Sequence, residues 1–305
     1  MTAPEEFIVN FTPTGMLPTR EQSPYVPLST SEIVDDVLAA AEIGITAVHL
    51  HVRDPRTGAP DFRREHYAAV IDGIRRYAPE LVIGVSLSGR CFQRLEDRAE
   101  PLLLTGAQKP DMGSLTLSSL NFNRTASINE PETICRLAEM MREAGIKPEL
   151  EAFDTGMINY AKYLIRKGLL TPPHYFNLIL GNIACAQADL LSAGVMLAAL
   201  PPDSLWTMGG IGDFQFKMNM TGILNGGGVR VGLEDNLFLN PDRKKLASNL
   251  DLLNRIRRAG RMCGKRIMPP ARLRQLLDLD AGHGRYGVRR EAAGGSPATP
   301  AGAAT

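Results

Sequence analysis

Paired cysteines are missing from this chain. Its four, Cys91, Cys135, Cys185 and Cys263, lie far apart among 305 residues, with none of the spacings of a zinc finger or redox pair. That excludes a disulfide framework and a structural thiolate metal site, and the thiols read as reduced, partly buried side chains. Net charge is nearly absent too. Thirty-four Lys and Arg balance 33 Asp and Glu to leave +1, and no basic run draws the chain toward nucleic acid or another polyanion. No stretch approaches the roughly 18 consecutive apolar residues of a membrane span. Met1 to Glu6 lacks the basic-then-apolar order of a secretory leader. The expectation is a soluble, cytoplasmic protein whose partner is a small molecule, with neither nucleic acid nor membrane involved.

A break in composition is also lacking before residue 280, so nothing marks a second domain. The 44% hydrophobic content suffices for one large core. Strand and helix patterns alternate along the chain. Strands are expected at Phe7 to Phe11, Ala47 to Val52, Leu81 to Ser86, Met112 to Leu117, Glu149 to Phe153, Tyr175 to Leu180, Leu205 to Met208 and Gly228 to Leu233. Helices are expected at Ser31 to Gly44, with Ser31 as N-cap, then Arg64 to Tyr77, Gln93 to Thr105, Glu130 to Ala144, Met157 to Lys167, Gln187 to Leu200 and Lys244 to Cys263. Eight strand-and-helix units over about 265 residues fit a (β/α)8 TIM barrel, whereas a doubly wound open sheet has fewer units at this length. The fold class is therefore α/β, a single barrel domain over residues 1–280. A short helix, Ala271 to Leu279, is expected to pack outside it. Residues 281–305, dominated by Gly, Ala, Pro and Thr, read as a disordered tail.

The sharpest chemical signal lies in the second strand. His49 and His51 alternate with Val48, Leu50 and Val52, so both imidazoles face one way about 7 Å apart, at the C-terminal mouth where barrel active sites lie. A His-x-His pair suits zinc or another divalent ion, against the alternative of two hydrogen-bonded structural histidines. A third ligand is on offer at the end of the last strand, in Arg230-Val231-Gly232-Leu233-Glu234-Asp235-Asn236. Adjacent carboxylates there are costly to desolvate without a partner or metal, the alternative being a helix-capping acidic pair. His49, His51 and Glu234 together leave one position open, which marks a catalytic site.

Four ordered stretches resemble the β-keto acid cleavage enzymes: Val48-His49-Leu50-His51-Val52-Arg53-Asp54-Pro55, Lys147-Pro148-Glu149-Leu150-Glu151-Ala152-Phe153-Asp154-Thr155-Gly156-Met157, Tyr175-Phe176-Asn177-Leu178-Ile179-Leu180-Gly181, and Val229-Arg230-Val231-Gly232-Leu233-Glu234-Asp235-Asn236. With Thr12-Pro13-Thr14-Gly15 the likeness spans roughly residues 8 to 280. It implies a zinc-dependent (β/α)8 barrel that combines a β-keto acid with acetyl-CoA to give acetoacetate and the CoA ester of the shortened acid. It also implies a homotetramer. His49, His51 and Glu234 match the family's zinc ligands, and Asp235, paired with Arg230, its base. The arginine lowers the basicity of that carboxylate. Ser86 resembles a family serine near the substrate carboxylate. One of Glu149 and Glu151, with Glu151 preferred, matches a glutamate that orients substrate or relays a proton.

Further polar positions stand at strand ends. Ser114, Thr116 and Asn121 are candidates for hydrogen bonds to a thioester or carboxylate, against ordinary loop bonding. Arg90, in the turn after the third strand, suits a second substrate carboxylate or else plain solvent, while Met16, Leu17 and Phe92 offer an apolar wall. The glycine clusters 209–212 and 226–228 resemble a barrel's phosphate-binding turns or serve tight packing. Two readings compete with the acyltransferase: a divalent-metal aldolase or lyase working without CoA, and a non-catalytic barrel, which the intact ligand set argues against.

Overall fold

The computed structural model describes residues 5–289, and over them the alternation closes into a ring. Its strands are β1 (Val9–Phe11), β2 (Ala47–Leu50), β3 (Val82–Val85), β4 (Met112–Thr116), β5 (Lys147–Ala152), β6 (His174–Leu180), β7 (Ser204–Gly210) and β8 (Gly228–Val231). They form a closed barrel of parallel neighbours, and β8 meets β1 with Arg230 opposite Asn10. Parallel pairing needs a crossover between strands. Helices supply it: α1 (Thr30–Ile43), α2 (Arg64–Arg75), α3 (Leu95–Ala99), α4 (Pro131–Ala144), α5 (Thr155–Arg166), α6 (Leu190–Ala199) and α7 (Gln215–Leu224); α8 (Asn249–Met262) and α9 (Pro270–Leu276) follow the last strand. The apolar core lies between ring and helices, where Val48, Leu50, Ile83, Leu115, Leu150 and Val229 are buried. No helix among the described residues is long and apolar enough to cross a membrane.

Local chemistry sets the helix ends. The N-cap of α1 is Ser29, two residues before the expected Ser31. Ser29 accepts from the Glu32 N–H while Glu32 accepts from the Ser29 N–H, and Gly44 at φ 104° ends the helix. The last long helix starts at Asn249, later than expected, because Ser248 and Asp251 form a second such box. The third crossover is a single helical turn, α3, continued by a 3-10 segment from Glu100 at Pro101.

The sequence reading left residues 213–227 without an element, and α7 lies there. Its apolar side chains are not confined to one stripe, and Gly222 interrupts it. Both features follow from its place against β7 and β8. A Cβ on Gly222 would stand 2.2 Å from the Gly228 carbonyl oxygen, and Asn219 donates to the carbonyls of Met208 and Arg230 at 2.9 and 2.8 Å.

The C-terminal end departs further from expectation. Helix α9 does not lie outside the barrel: Leu273, Leu277 and Leu279 pack with Ile8, Ala47, Val82, Met112 and Tyr175 and plug its N-terminal end. Residues 281–289, assigned to the tail on composition, belong to this plug. Val288 bridges to Leu279, Tyr286 stacks under Arg75 at 3.3 Å, and the Gly287 N–H donates to Asp111 at 3.0 Å. Asp111 is fully buried and takes two bonds from Arg274, at 2.9 and 2.8 Å. Polar anchoring replaces the apolar burial on which the composition argument rested. The rest of the tail, 290–305, lies outside the described residues.

Candidate active site

Strand alternation sends one polar set into the barrel above the apolar plug. Glu149 on β5 is at its centre and is fully buried. One of its oxygens accepts from the Asn10 side-chain amide at 2.7 Å and from that of Asn177; the other meets His49 Nδ1 at 2.7 Å. Gly84 makes room for it, since a Cβ there would lie 3.1 Å from Glu149 Oε2. A carboxylate on Nδ1 fixes the tautomer and leaves His49 Nε2 free to act as a ligand. That atom lies 3.3 Å from His51 Nε2, which lies 3.2 Å from Glu234 Oε1.

The ligand atoms of His49, His51 and Glu234 all fall within 4.8 Å of one another. Glu234 Oε2 is buried without a hydrogen-bond partner among the described residues. Two neutral imidazole nitrogens, a carboxylate with a spare oxygen and a carboxylate behind one imidazole fit a borderline divalent cation. Gly15, at φ +67°, presses on this ligand from the loop after β1: a Cβ there would stand 2.6 Å from Glu234 Cγ. Arg53 pins that loop by donating to the carbonyls of Gly15 at 2.6 Å and Pro18 at 2.9 Å.

Arg230, 2% exposed, organises the other acids. Its Nε meets Asp235 Oδ2 at 2.9 Å, Nη2 meets Glu234 Oε1 at 2.7 Å, and Nη1 lies 3.6 Å from Glu151 Oε1. Thr116 donates to Glu151 Oε2 at 2.7 Å. Burial would push every charge here toward its neutral form, and neighbours decide the outcome. For Glu234 burial is outweighed by Arg230 and the two imidazoles, which hold its carboxyl well below the ordinary range. For Asp235 burial, with the nearby Glu234 charge, prevails over Arg230 and raises the pKa to about 6. Arg230 does lower the basicity of Asp235, as the sequence suggested, and burial together with the Glu234 charge more than offsets it. Burial likewise raises Glu151. Burial opposes a charge on His49, but Glu149 and Glu234 overcome it and lift the pKa to about 9, so a cation at Nε2 would bind in place of that proton.

These groups face a cavity of about 540 Å³ at the C-terminal ends of the strands, also lined by Ser86, Arg90, Thr116, Met16 and Leu17. Ser114 and Asn121 are not brought to it. The Ser114 hydroxyl accepts from the Leu87 N–H at 3.0 Å; Asn121 is exposed in the hairpin formed by Leu120–Asn121 and Ala126–Ser127. Phe92 turns away to meet Phe62 edge-on, with ring centroids 4.8 Å apart. Of the glycine clusters, Gly212 reaches the cavity, whereas Gly226 and Gly227 lie in a groove at the opposite end, where a Cβ on Gly227 would strike the Trp206 ring at 2.2 Å. They serve close packing, because they precede β8 and so lie at its N-terminal end. That groove is larger, about 670 Å³, but holds no metal-ligating cluster among the described residues.

Asn10 and Asn177 escaped the sequence reading as site residues, as did Arg53. The signal was present: an amide inside an apolar strand, at the inward position, needs a buried partner.

The model of the beta-keto acid cleavage enzyme family matches residues 6–279. The chain belongs to that family. Among relatives of β-keto acid cleavage enzymes, the chain is 34% identical over 278 residues to a 3-keto-5-aminohexanoate cleavage enzyme of Fusobacterium nucleatum, covering 90% of this chain and 98% of the relative. It is 37% identical over 277 residues to a 3-oxoadipate:acetyl-CoA acetyltransferase of Cupriavidus necator, covering 89% and 94%. ObcA, solved as a ternary complex with a C4-CoA adduct and oxalate, superposes with a TM-score of 0.74 at 21% identity over 84% of this chain and 68% of its own, a likeness of fold.

Proposed function

We propose that this cleavage enzyme condenses a β-keto acid with acetyl-CoA, yielding acetoacetate and the CoA ester of the shortened acid, in a zinc-dependent reaction. The observation that carries the reading is the convergence of His49, His51 and Glu234 with the Arg230–Asp235 pair in one cavity. His49, His51 and Glu234 would hold the metal, with Glu149 orienting His49. A bound zinc supplies Lewis acidity, polarising the acid's carbonyl oxygen and acidifying the carbon between its two carbonyl groups. Asp235, held by Arg230, takes the proton from that carbon. The resulting carbanion attacks the acetyl carbonyl and expels the CoA thiolate. The thiolate then adds to the original keto carbon, the bond between that carbon and the former carbanion carbon breaks, and Asp235 returns the proton to the departing acetoacetate. Glu151, backed by Thr116 and facing Arg230, orients the acid and relays protons. Ser86 donates to the substrate carboxylate.

Relatives whose names pair 3-oxoadipate or 3-dehydrocarnitine with acetyl-CoA support acetyl-CoA as the co-substrate. We further propose one catalytic unit that runs through residue 289, the last of the plug, and acts as a cytoplasmic homotetramer, an assembly that analytical ultracentrifugation reads directly. The reaction is tested by assaying acetoacetate formation from acetyl-CoA and a panel of β-keto acids, with metal content measured in parallel. Turnover by zinc-loaded enzyme and its loss in His49→Ala are expected. No turnover on any acid by metal-loaded enzyme would favour a CoA-independent lyase.

A further inference from the structure

The arginines around the cavity differ in what neutralises them. Arg230 is held by Asp235, Glu234 and Glu151, and Arg243 by Asp213. Arg90, half-buried in the loop after β3, has no carboxylate partner among the described residues. Its Nε donates to Thr125 Oγ1 at 3.2 Å, and its guanidinium carbon lies 3.7 Å from the centre of the Phe122 ring. Both partners belong to the same hairpin, so the group is braced before any ligand arrives. These contacts use one nitrogen and one face. They leave the two terminal amino groups, which match a carboxylate bidentately.

Partial burial makes such a charge costly unless an anion offsets it. Arg124 lines the same mouth but is exposed, where solvent screens it. Deeper in the cavity Arg230 is already offset by Glu151, Glu234 and Asp235, so an anionic end there would be met by the cation that His49, His51 and Glu234 would hold. A substrate carrying one anionic end at the metal-binding centre and another at the rim would meet a suitable partner at each.

Resting on the reading of this cavity as a β-keto acid cleavage site, we propose that Arg90 selects β-keto acids with a second carboxylate at their far end and disfavours those that end in an ammonium group. The test compares six-carbon 3-oxo acids ending in carboxylate, methyl or aminomethyl, with acetyl-CoA, on zinc-loaded wild type, Arg90→Gln and Arg90→Lys. A charge-assisted pair sets the expected preference of the wild type for the diacid over the methyl-ended acid at about 10- to 100-fold in kcat/KM. Arg90→Gln should collapse that ratio, chiefly through the KM of the diacid, and Arg90→Lys should restore part of it. A wild-type preference for the methyl or aminomethyl acid would overturn the proposal. So would a rise in the KM of acetyl-CoA in place of that of the diacid, which would assign Arg90 to the CoA phosphates. Absence of acetoacetate from every acid with wild type overturns the underlying reading and the proposal with it, and is recognised before any variant is made.

Discussion

At the scale of single residues, the candidate centre depends on groups that never touch a ligand. Glu149 orients His49 through a 2.7 Å contact. Glu149→Gln keeps the size but loses the charge, and should weaken zinc affinity about 10- to 100-fold, as measured by competition with a chelator. Unchanged affinity would remove Glu149 from the support of the site. Gly15 acts from the other side. Its left-handed backbone and its closeness to Glu234 mean that Gly15→Ala must strain the loop and displace the carboxylate. Metal content and turnover should both fall by at least about tenfold, a rough scale set by loss of ligand orientation. His49, His51 and Glu234 were legible in the sequence because a strand has a two-residue period and a catalytic metal site needs a third ligand. Ser114, left open between substrate and loop bonding, takes the second: the period tells which face a side chain takes, but not that its hydroxyl accepts from the Leu87 N–H.

Among the elements, α1 shows how a local code sets a boundary and a pH dependence together. Burial pushes the Glu32 carboxyl up, yet the N–H groups of Ser29 and Leu28 and the Arg20 side chain outweigh it and bring the pKa from 4.5 to about 2. A carboxyl depressed by folding contributes stability that is fully present above pH about 4.5 and is lost as pH falls toward about 2. Glu32→Gln should therefore lower Tm at pH 6 and draw level with wild type near pH 2 to 3. The Glu32 side chain is 42% exposed, so solvent screening keeps the effect to about 1 kcal/mol at most. A Tm gap independent of pH would show that the carboxylate charge plays no part. The Gly44 stop was readable because its partners lie within four residues, whereas the two capping boxes, equally local, were missed, with Ser31 taken for Ser29 and Lys244 for the start at Asn249. Helix α7 was not readable, since its weak amphipathy and its internal Gly222 make sense only against β7 and β8.

The whole molecule is held at its N-terminal end by a charged knot in place of further apolar packing. Asp111 lies fully buried between Arg274 and Arg75 and takes the Gly287 N–H as well. Asp111→Asn leaves two buried guanidinium groups without their carboxylate, and should destabilise the barrel by about 3 to 5 kcal/mol in urea unfolding. A loss below about 1 kcal/mol would mean that the apolar plug suffices on its own. The sequence by itself determined the alternation of strand and helix, the face of each strand that carries its polar side chains, and hence the metal-ligand candidates, because these follow from local geometry. Only the closed barrel decided which of those side chains meet. Glu149 reaches His49 across 100 residues, Arg230 gathers Asp235, Glu234 and Glu151, and residues 281–289 join the core. Such partners depend on strand register and ring closure, and the burial they create sets the charges; no window of local sequence contains either.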